Sequence, residues 1–320
     1  MSLSQSFEEI IQKRRSNRKF DPNVEVPDEV IKKSLERCIL SPNSSNMQLW
    51  EFYWIKDPAL QKDFHAYCLN QNAARSAKQL VVFVTRQDHW RKRVQWHLDL
   101  IKKGITGETT PNQDKLLTYY GKLMPLAYGT DQFGFLSAIR RILSGLIGAF
   151  RPMTRMKGRA DQRITVHKSC ALAAQTFMLS IAAEGFESCP MEGFDAVRVK
   201  KALDLPEMAE INMIISVGKG TEAGIWGKRE RVPYEEVVII KKIQKGAVTA
   251  GKLPIKALDL PQAVAIIDRT TLEQQQILRI SDALKNTNGV YVSGASNASG
   301  NNQEEYGSRG FTFSGGNTFK

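Results

Sequence analysis

The sequence predicts a mixed fold of helices and sheet, α+β or α/β. Short apolar segments rich in β-branched or aromatic residues, at residues 52–55, 80–85 and 211–217, read as strands. Segments with apolar residues at helical spacing separate them, the alternation of a layered fold. The 320 residues, 42% hydrophobic and 24% charged, suffice for the core of one or two globular domains.

The elements follow in order. Ser6, Phe7, Glu8 and Glu9 fit a capping box, after which Phe7, Ile10 and Ile11 give the first helix a buried stripe before Arg14 and Arg15 close it. Pro27 suits a first helical position. Val30, Ile31, Leu35, Cys38 and Ile39 recur on one face, so a second helix runs to about Leu40, where Ser41 and Pro42 stop it. A basic amphipathic helix is expected over residues 135–147, with Arg140 and Arg141 toward its polar side and a packing or covering role for its apolar face. Residues 168–184 are apolar almost all round, so this helix needs cover on every side, from a large core or from a second subunit. Gly185 ends it, and Glu192-Gly193 marks a turn whose backbone N–H groups can face a ligand.

Composition narrows the class. No basic start followed by an apolar run and a small-residue cleavage site is present, so a signal peptide is not expected. The longest apolar stretches are residues 171–183, too short to span a bilayer, and 133–150, interrupted by Arg140 and Arg141. Cys38, Cys68, Cys170 and Cys189 show neither a CxxC pair nor metal-ligand spacing; reduced, buried thiols in a cytoplasmic protein are expected, and no metal site. The net charge of +12 is regional: between residues 89 and 168, 15 Lys and Arg stand against 5 Asp and Glu. With no interleaved aromatic platform or recognised motif, this is not a nucleic-acid signature.

Two N-terminal segments concentrate the chemistry. Arg14-Arg15-Ser16-Asn17-Arg18 sets three guanidinium groups and a hydroxyl at a helix end, a grip for phosphate or an anionic ring. Ser41-Pro42-Asn43-Ser44-Ser45-Asn46-Met47-Gln48 lines up hydroxyls and amides suited to the polar edge of a planar ligand.

From Phe7 to Val238 the chain resembles the FMN-dependent nitroreductase superfamily, through four blocks in the family's order: residues 14–21, residues 41–50, Pro190-Met191-Glu192-Gly193-Phe194-Asp195, and Arg229-Glu230-Arg231-Val232-Pro233. The resemblance implies a mainly antiparallel sheet wrapped by helices, a homodimer, and one FMN in each of two clefts at the dimer interface. Arg14, Ser16, Arg229 and Arg231 match the family's phosphate and ribityl contacts, with Arg15 in the same block, and Arg18 matches its cation near the pyrimidine edge of the flavin. Ser44, Asn46 and Gln48 fall in the block that reaches the cofactor from the partner subunit, and Asn70 lies where the family often places an amide on the ring. Pro190, Met191, Glu192 and Gly193 form the segment whose backbone N–H, from Glu192 or Gly193, faces flavin N5. The Glu192 side chain is assigned no acid or base role.

The implied activity is ping-pong hydride transfer from NAD(P)H to a small-molecule electron acceptor such as a nitroaromatic or quinone. The alternative is a flavin-binding redox sensor, or a protein docked on anionic membrane surfaces through its basic region with little turnover. Leu49 stands where many members have proline. Tyr119, Tyr120, Phe133 and Phe135 are candidates to stack on a substrate, with core packing the stronger expectation, as it is for Trp50 and Phe52. The expected organisation is an FMN-binding domain over residues 1–240 with a basic insertion near 90–163, an extension over 241–285 with a helix at 271–284, and a flexible tail over 286–320 rich in Gly, Ser and Asn.

Overall fold

The computed structural model describes residues 2–129, 135–152, 158–240, 247–248, 255–256, 290–293, 305–308 and 311–314. The chain divides into two compact units, Met1–Arg229 and Glu230–Lys320, a boundary eleven residues before the expected one at 240.

The first unit begins with α1 (Leu3–Lys13) and α2 (Asp28–Cys38), then β1 (Trp50–Ile55), α3 (Pro58–Tyr67), α4 (Asn72–Arg75) and β2 (Gln79–Arg86). The basic region follows as α5 (Trp90–Lys103), α6 (Pro111–Thr118), a π-helical turn (Tyr119–Leu123), α7 (Met124–Tyr128) and α8 (Phe135–Phe150). The unit closes with α9 (Arg159–Ala183), β3 (Glu187–Met191), α10 (Ala196–Ala202) and β4 (Ala209–Gly218). The strands form one sheet of order β1-β2-β4-β3, antiparallel throughout, as the α+β expectation requires.

The central strand β2 is buried on both faces, which is why it reads as a continuous apolar run. Val81 and Phe83 pack with Ile31 and Cys38 of α2 and Cys170, Phe177 and Ile181 of α9. On the other face Leu80, Val82 and Val84 meet Phe64 of α3, Ala73 and Ala74 of α4 and Val199 of α10. Burying a side chain such as Phe177 contributes roughly 1.5–3 kcal/mol, so this double-faced core anchors everything attached to the strand ends. Trp50 is buried with the first group, as expected of a core residue.

Several expectations are corrected. The capping box of α1 is Ser2 with Gln5, not Ser6 with Glu9: a second Ser-x-x-Gln pattern four residues upstream extends the helix by a turn. The α1 stripe is only partly buried: Phe7 is 57% exposed and Ile10 and Ile11 are half-buried, α9 covering the helix on one side. The apolar helix α9 starts nine residues earlier than expected, and Leu172 on it stays exposed. Strand β3 runs through Pro190 to Met191, since an edge strand tolerates proline.

Helix α8 sits polar side inward. Its Ser144 is buried and Arg140 donates to the carbonyls of Ala127 and Gly129, while Phe135, Ile139, Ile142, Leu146 and Phe150 face outward in one stripe. The expected packing of that apolar face does not occur among the described residues. Among the described residues no helix is long and apolar enough to cross a membrane.

The second unit holds α11 (Tyr234–Val237), an antiparallel pair β5 (Ala247–Val248) and β6 (Ile255–Lys256), and an antiparallel sheet of β7 (Val290–Ser293), β8 (Glu305–Ser308) and β9 (Phe311–Ser314). The last sheet departs from the expected flexible tail: Val290, Tyr291, Val292, Phe311 and Phe313 supply β-forming residues between the Gly- and Ser-rich runs. The helix expected at 271–284 lies outside the described residues.

Candidate functional site

Helix α1 leaves carbonyls without partners at its C-terminus, as every helix does. Arg229 supplies them: its guanidinium donates to the carbonyls of Ile11 (3.2 Å), Gln12 (2.8 Å) and Arg14 (2.7 Å), and to the Gln12 side chain (3.4 Å). The chain then runs beside β3, with Ser16 in a parallel bridge to Ser188 and the Asn17 N–H donating to the Ser188 carbonyl at 3.1 Å. Asn17 turns inward and is buried, donating to the Thr221 carbonyl (2.9 Å) and accepting from the Lys19 N–H (3.1 Å). A Cβ at Gly224 would stand 1.8 Å from the Asn17 amide oxygen, so glycine alone allows the segment this close.

Ser16 and Arg18 stay part-exposed, and neither side chain donates a hydrogen bond to any described residue. The Arg18 guanidinium carbon instead lies over the Trp226 ring, 4.3 Å from its centroid, and the Arg18 backbone N–H donates to the Gly224 carbonyl at 2.8 Å. Arg15 donates to the carbonyl of Gly227 at 2.8 Å, where φ of +106° requires glycine. Burial pushes the Cys189 thiol up from its ordinary value, with the nearby Arg18 charge acting in the opposite sense, which sets Arg18 beside β3.

At the end of β3, Met191 is buried and Glu192 and Gly193 are exposed. Among the described residues neither the Glu192 nor the Gly193 N–H is used in a turn or cap hydrogen bond. The turn is fixed from its carbonyl side: the Gln71 side-chain amide donates to the Gly193 carbonyl at 2.6 Å and the Asp195 N–H to the Tyr67 carbonyl at 2.7 Å. Leu69 and Asn70, both left-handed with φ of 55° and 54°, bend the chain after α3 so that Gln71 can reach. Sequence reasoning missed Gln71, Trp226 and the anchoring role of Arg229; the signal for the first was an amide beside Asn70.

The amide block forms a second cluster. Ser45, Asn46 and Gln48 all adopt positive φ, a conformation uncommon outside glycine, and the basic region holds them in it. His97 bonds the Asn46 carbonyl at 2.8 Å, Tyr120 donates to the Ser45 carbonyl at 3.1 Å and Tyr119 pairs with the Ser45 hydroxyl at 2.7 Å. His97 stacks on Tyr120 with ring centroids 4.1 Å apart. The Ser44 N–H donates to Ser169 on α9 (3.2 Å), and the Gln48 N–H to the Asn43 side chain (2.9 Å). Tyr119 and Tyr120 therefore brace this loop. Phe135 is exposed, and Phe133 lies outside the described residues.

The two clusters occupy opposite corners of the sheet. Ser188 pairs with Val217, which pairs with Gln79 at the start of β2, whereas Leu49 accepts from Arg86 at the end of β2 and Trp50 pairs with Thr85 on the far edge strand. At about 3.3 Å per residue the length of β2 alone separates them by about 23 Å. Arg14, Arg15, Ser16 and Arg18 gather beside Ser188 at the start of β3; Pro190, Met191, Glu192 and Gly193 follow along that strand and past its end, where Gln71, next to Asn70, reaches Gly193; the far corner holds Ser44, Asn46 and Gln48. Arg231 belongs to the second unit, exposed and donating to the Glu230 carbonyl at 2.6 Å. Among the described residues no cluster of His, Cys, Asp or Glu could hold a metal ion.

The sequence model of the Nitroreductase family matches residues 11–219. That of the TonB-dependent Receptor Plug Domain matches residues 256–319, inside the second unit and within the stretch read from sequence as extension and tail. Protein DrgA of Synechocystis sp. is 27% identical over 242 residues, covering 74% of this chain and 97% of that protein. A Thermus thermophilus protein named NADH dehydrogenase is 27% identical over 231 residues, covering 71% and 92%. In fold, the chain is similar to a protein of Exiguobacterium sibiricum solved as a nitroreductase in complex with FMN, with a TM-score of 0.53, 19% identity, and 73% and 97% of the two chains covered.

Proposed function

Because this chain belongs to the Nitroreductase family, we propose that it is an FMN-dependent oxidoreductase passing hydride from NAD(P)H to an electron-poor acceptor such as a nitroaromatic or quinone, one after the other in a shared site. The observation that carries this is a set of donors along β3 with no hydrogen-bond acceptor among the described residues: the Arg18 guanidinium and the Ser16 hydroxyl beside its start, and the N–H groups of Glu192 and Gly193 past its end. Cations and hydroxyls suit a phosphorylated ribityl chain, and a row of N–H donors suits the heteroatom edge of a flat ring, so the residues present fit FMN. The name of the Thermus thermophilus relative supports a nicotinamide donor. FMN, when bound, supplies reversible two-electron hydride chemistry that no side chain here can perform.

The chain's own residues bind and tune. Arg14, Arg15 and Ser16 hold the phosphate and ribityl end. Arg18 places a fixed cation where negative charge gathers on reduction, which favours the reduced form. The backbone of Glu192 and Gly193 offers donors to the hydride-accepting atom. Arg229 is reassigned: with its donors occupied by α1 and Arg14, it positions the phosphate grip and does not itself face the ligand. No side chain acts as general acid, and protons come from solvent.

A homodimer completes the site in this reading. The corner-to-corner separation keeps Asn46 and Gln48 of one protomer from its own Ser188 corner, and a two-fold partner can bring them to the other's. Phe7 and Leu40 line an open groove of about 440 Å³ with Leu179 and Ala183 of α9, an apolar face that a second copy would cover. The four free, buried cysteines suit the reducing cytoplasm. The test is an anaerobic titration: purified protein takes up FMN, NADH or NADPH bleaches the flavin spectrum, and a quinone or nitroaromatic restores it. Protein that retains no flavin, or flavin that no nicotinamide bleaches, overturns the proposal.

A further inference from the structure

We propose that Trp226 is a positioning residue that holds the Arg18 guanidinium over its ring face and available to the ring edge of FMN, and thereby raises the reduction potential of the bound cofactor; the inference rests on the FMN reading above. Trp226 is 75% exposed, the wrong place for a large apolar ring unless one face has a use. That face carries Arg18 at 4.3 Å. The ring is held there from both sides of its own backbone, by the Arg18 N–H on the Gly224 carbonyl and by Arg15 on the Gly227 carbonyl, each at 2.8 Å.

The other arginines of this corner show what the stack achieves. Arg229 uses both terminal nitrogens on carbonyls and Arg15 uses one, so each is fixed by giving up donors. A guanidinium stacked on an aromatic face is fixed through its plane and keeps its five in-plane N–H groups. The indole also strips water from one side of the cation, which strengthens its pull on an anionic ligand more than on a neutral one. Trp226 therefore acts more on the reduced than on the oxidised cofactor.

The test compares Trp226→Ala, Trp226→Phe and Trp226→Leu in the full chain, reading FMN affinity from flavin fluorescence and the midpoint potential by dye equilibration. Trp226→Ala is expected to weaken oxidised FMN about two- to fivefold, the range of an exposed cation–π contact. A further loss of about fivefold for the reduced cofactor corresponds to a midpoint lower by ~20 mV for a two-electron couple. Trp226→Phe restores most of both losses, and Trp226→Leu, apolar without a π face, restores neither. An unchanged potential in Trp226→Ala overturns the inference, as does rescue by Leu equal to that by Phe. If Trp226→Ala does not fold, the Phe and Leu variants decide it on the same terms. Wild-type protein that binds no FMN overturns the FMN reading itself, a different result from FMN bound at an unmoved potential.

Discussion

Arg229 reaches across more than two hundred residues of sequence to hold the carbonyl of Arg14 at 2.7 Å. The two arginines thus act in series: one fixes the end of α1 and the other emerges from that end toward the Ser16 segment. Replacing Arg229 with Ala leaves three backbone carbonyls short of a donor. Hydrogen bonds from a charged donor contribute about 1.5–3 kcal/mol when well enclosed, so about 1–2 kcal/mol is expected at this half-buried position. The melting temperature of the cofactor-free variant should fall by about 2–8 °C, with FMN bound severalfold more weakly. An unchanged apo-protein melt would remove the anchoring role.

Gln71 offers a cleaner probe of the β3 turn, because it touches only the carbonyl side of Gly193 and Cys68. Gln71→Leu keeps the volume and loses the clamp. Hydride transfer, measured by stopped flow, should slow by about tenfold, equal to about 1.4 kcal/mol, with FMN affinity nearly intact. Loss of FMN with an unaltered transfer rate would place Gln71 in binding instead.

His97 fixes the Asn46 carbonyl from the far side of the amide block. His97→Phe retains an aromatic face for Tyr120 and removes the hydrogen bond, so the left-handed backbone at Asn46 loses one of its constraints. FMN dissociation should quicken severalfold while secondary structure by circular dichroism stays unchanged. Wild-type off-rates would show that Tyr119 and Tyr120 hold the loop alone.

Burial raises the thiols of Cys38, Cys68 and Cys170 from an ordinary 9.0 to about 12. The folded protein then keeps protons that the unfolded chain releases above pH 9, so stability is full below pH 9 and falls as pH rises toward 12. Denaturant midpoints should decline across that window, and less so in Cys68→Ala once its own packing loss at neutral pH is subtracted. Native protein at pH 8 should label fewer than one thiol with a disulfide reagent, against four after unfolding. Rapid labelling of the native form would contradict the burial.

Every candidate site residue except Arg231 lies in the first compact unit. A chain ending at Ile240 should bind FMN and turn over NAD(P)H within about twofold of the full chain. A larger loss would contradict the placement of the whole site in the first unit.

The sheet was legible where packing is two-sided: Leu80 to Val84 are apolar at every position because both faces are covered. It was not legible at β3, whose Glu187, Ser188 and Pro190 carry little strand propensity and are held as an edge by pairing with β4. The N-terminal anion grip stood out because three guanidinium groups in five residues are conspicuous wherever they fall. Gln71 and Trp226 did not, since an amide and an indole take on a role only when the fold brings Gly193 and Arg18 to them. Arg229 was found as a residue while its bonds to the end of α1 were not, because a helix end competing for its donors shows only in the fold.

The separation of the two clusters along β2 has a consequence for the protein in dilute solution. If each cofactor needs one corner from either protomer, FMN and subunit association stabilise each other by mass action. Flavin retention then depends on protein concentration as well as on flavin concentration: dilution below the dimer constant sheds cofactor, and excess FMN drives protomers together.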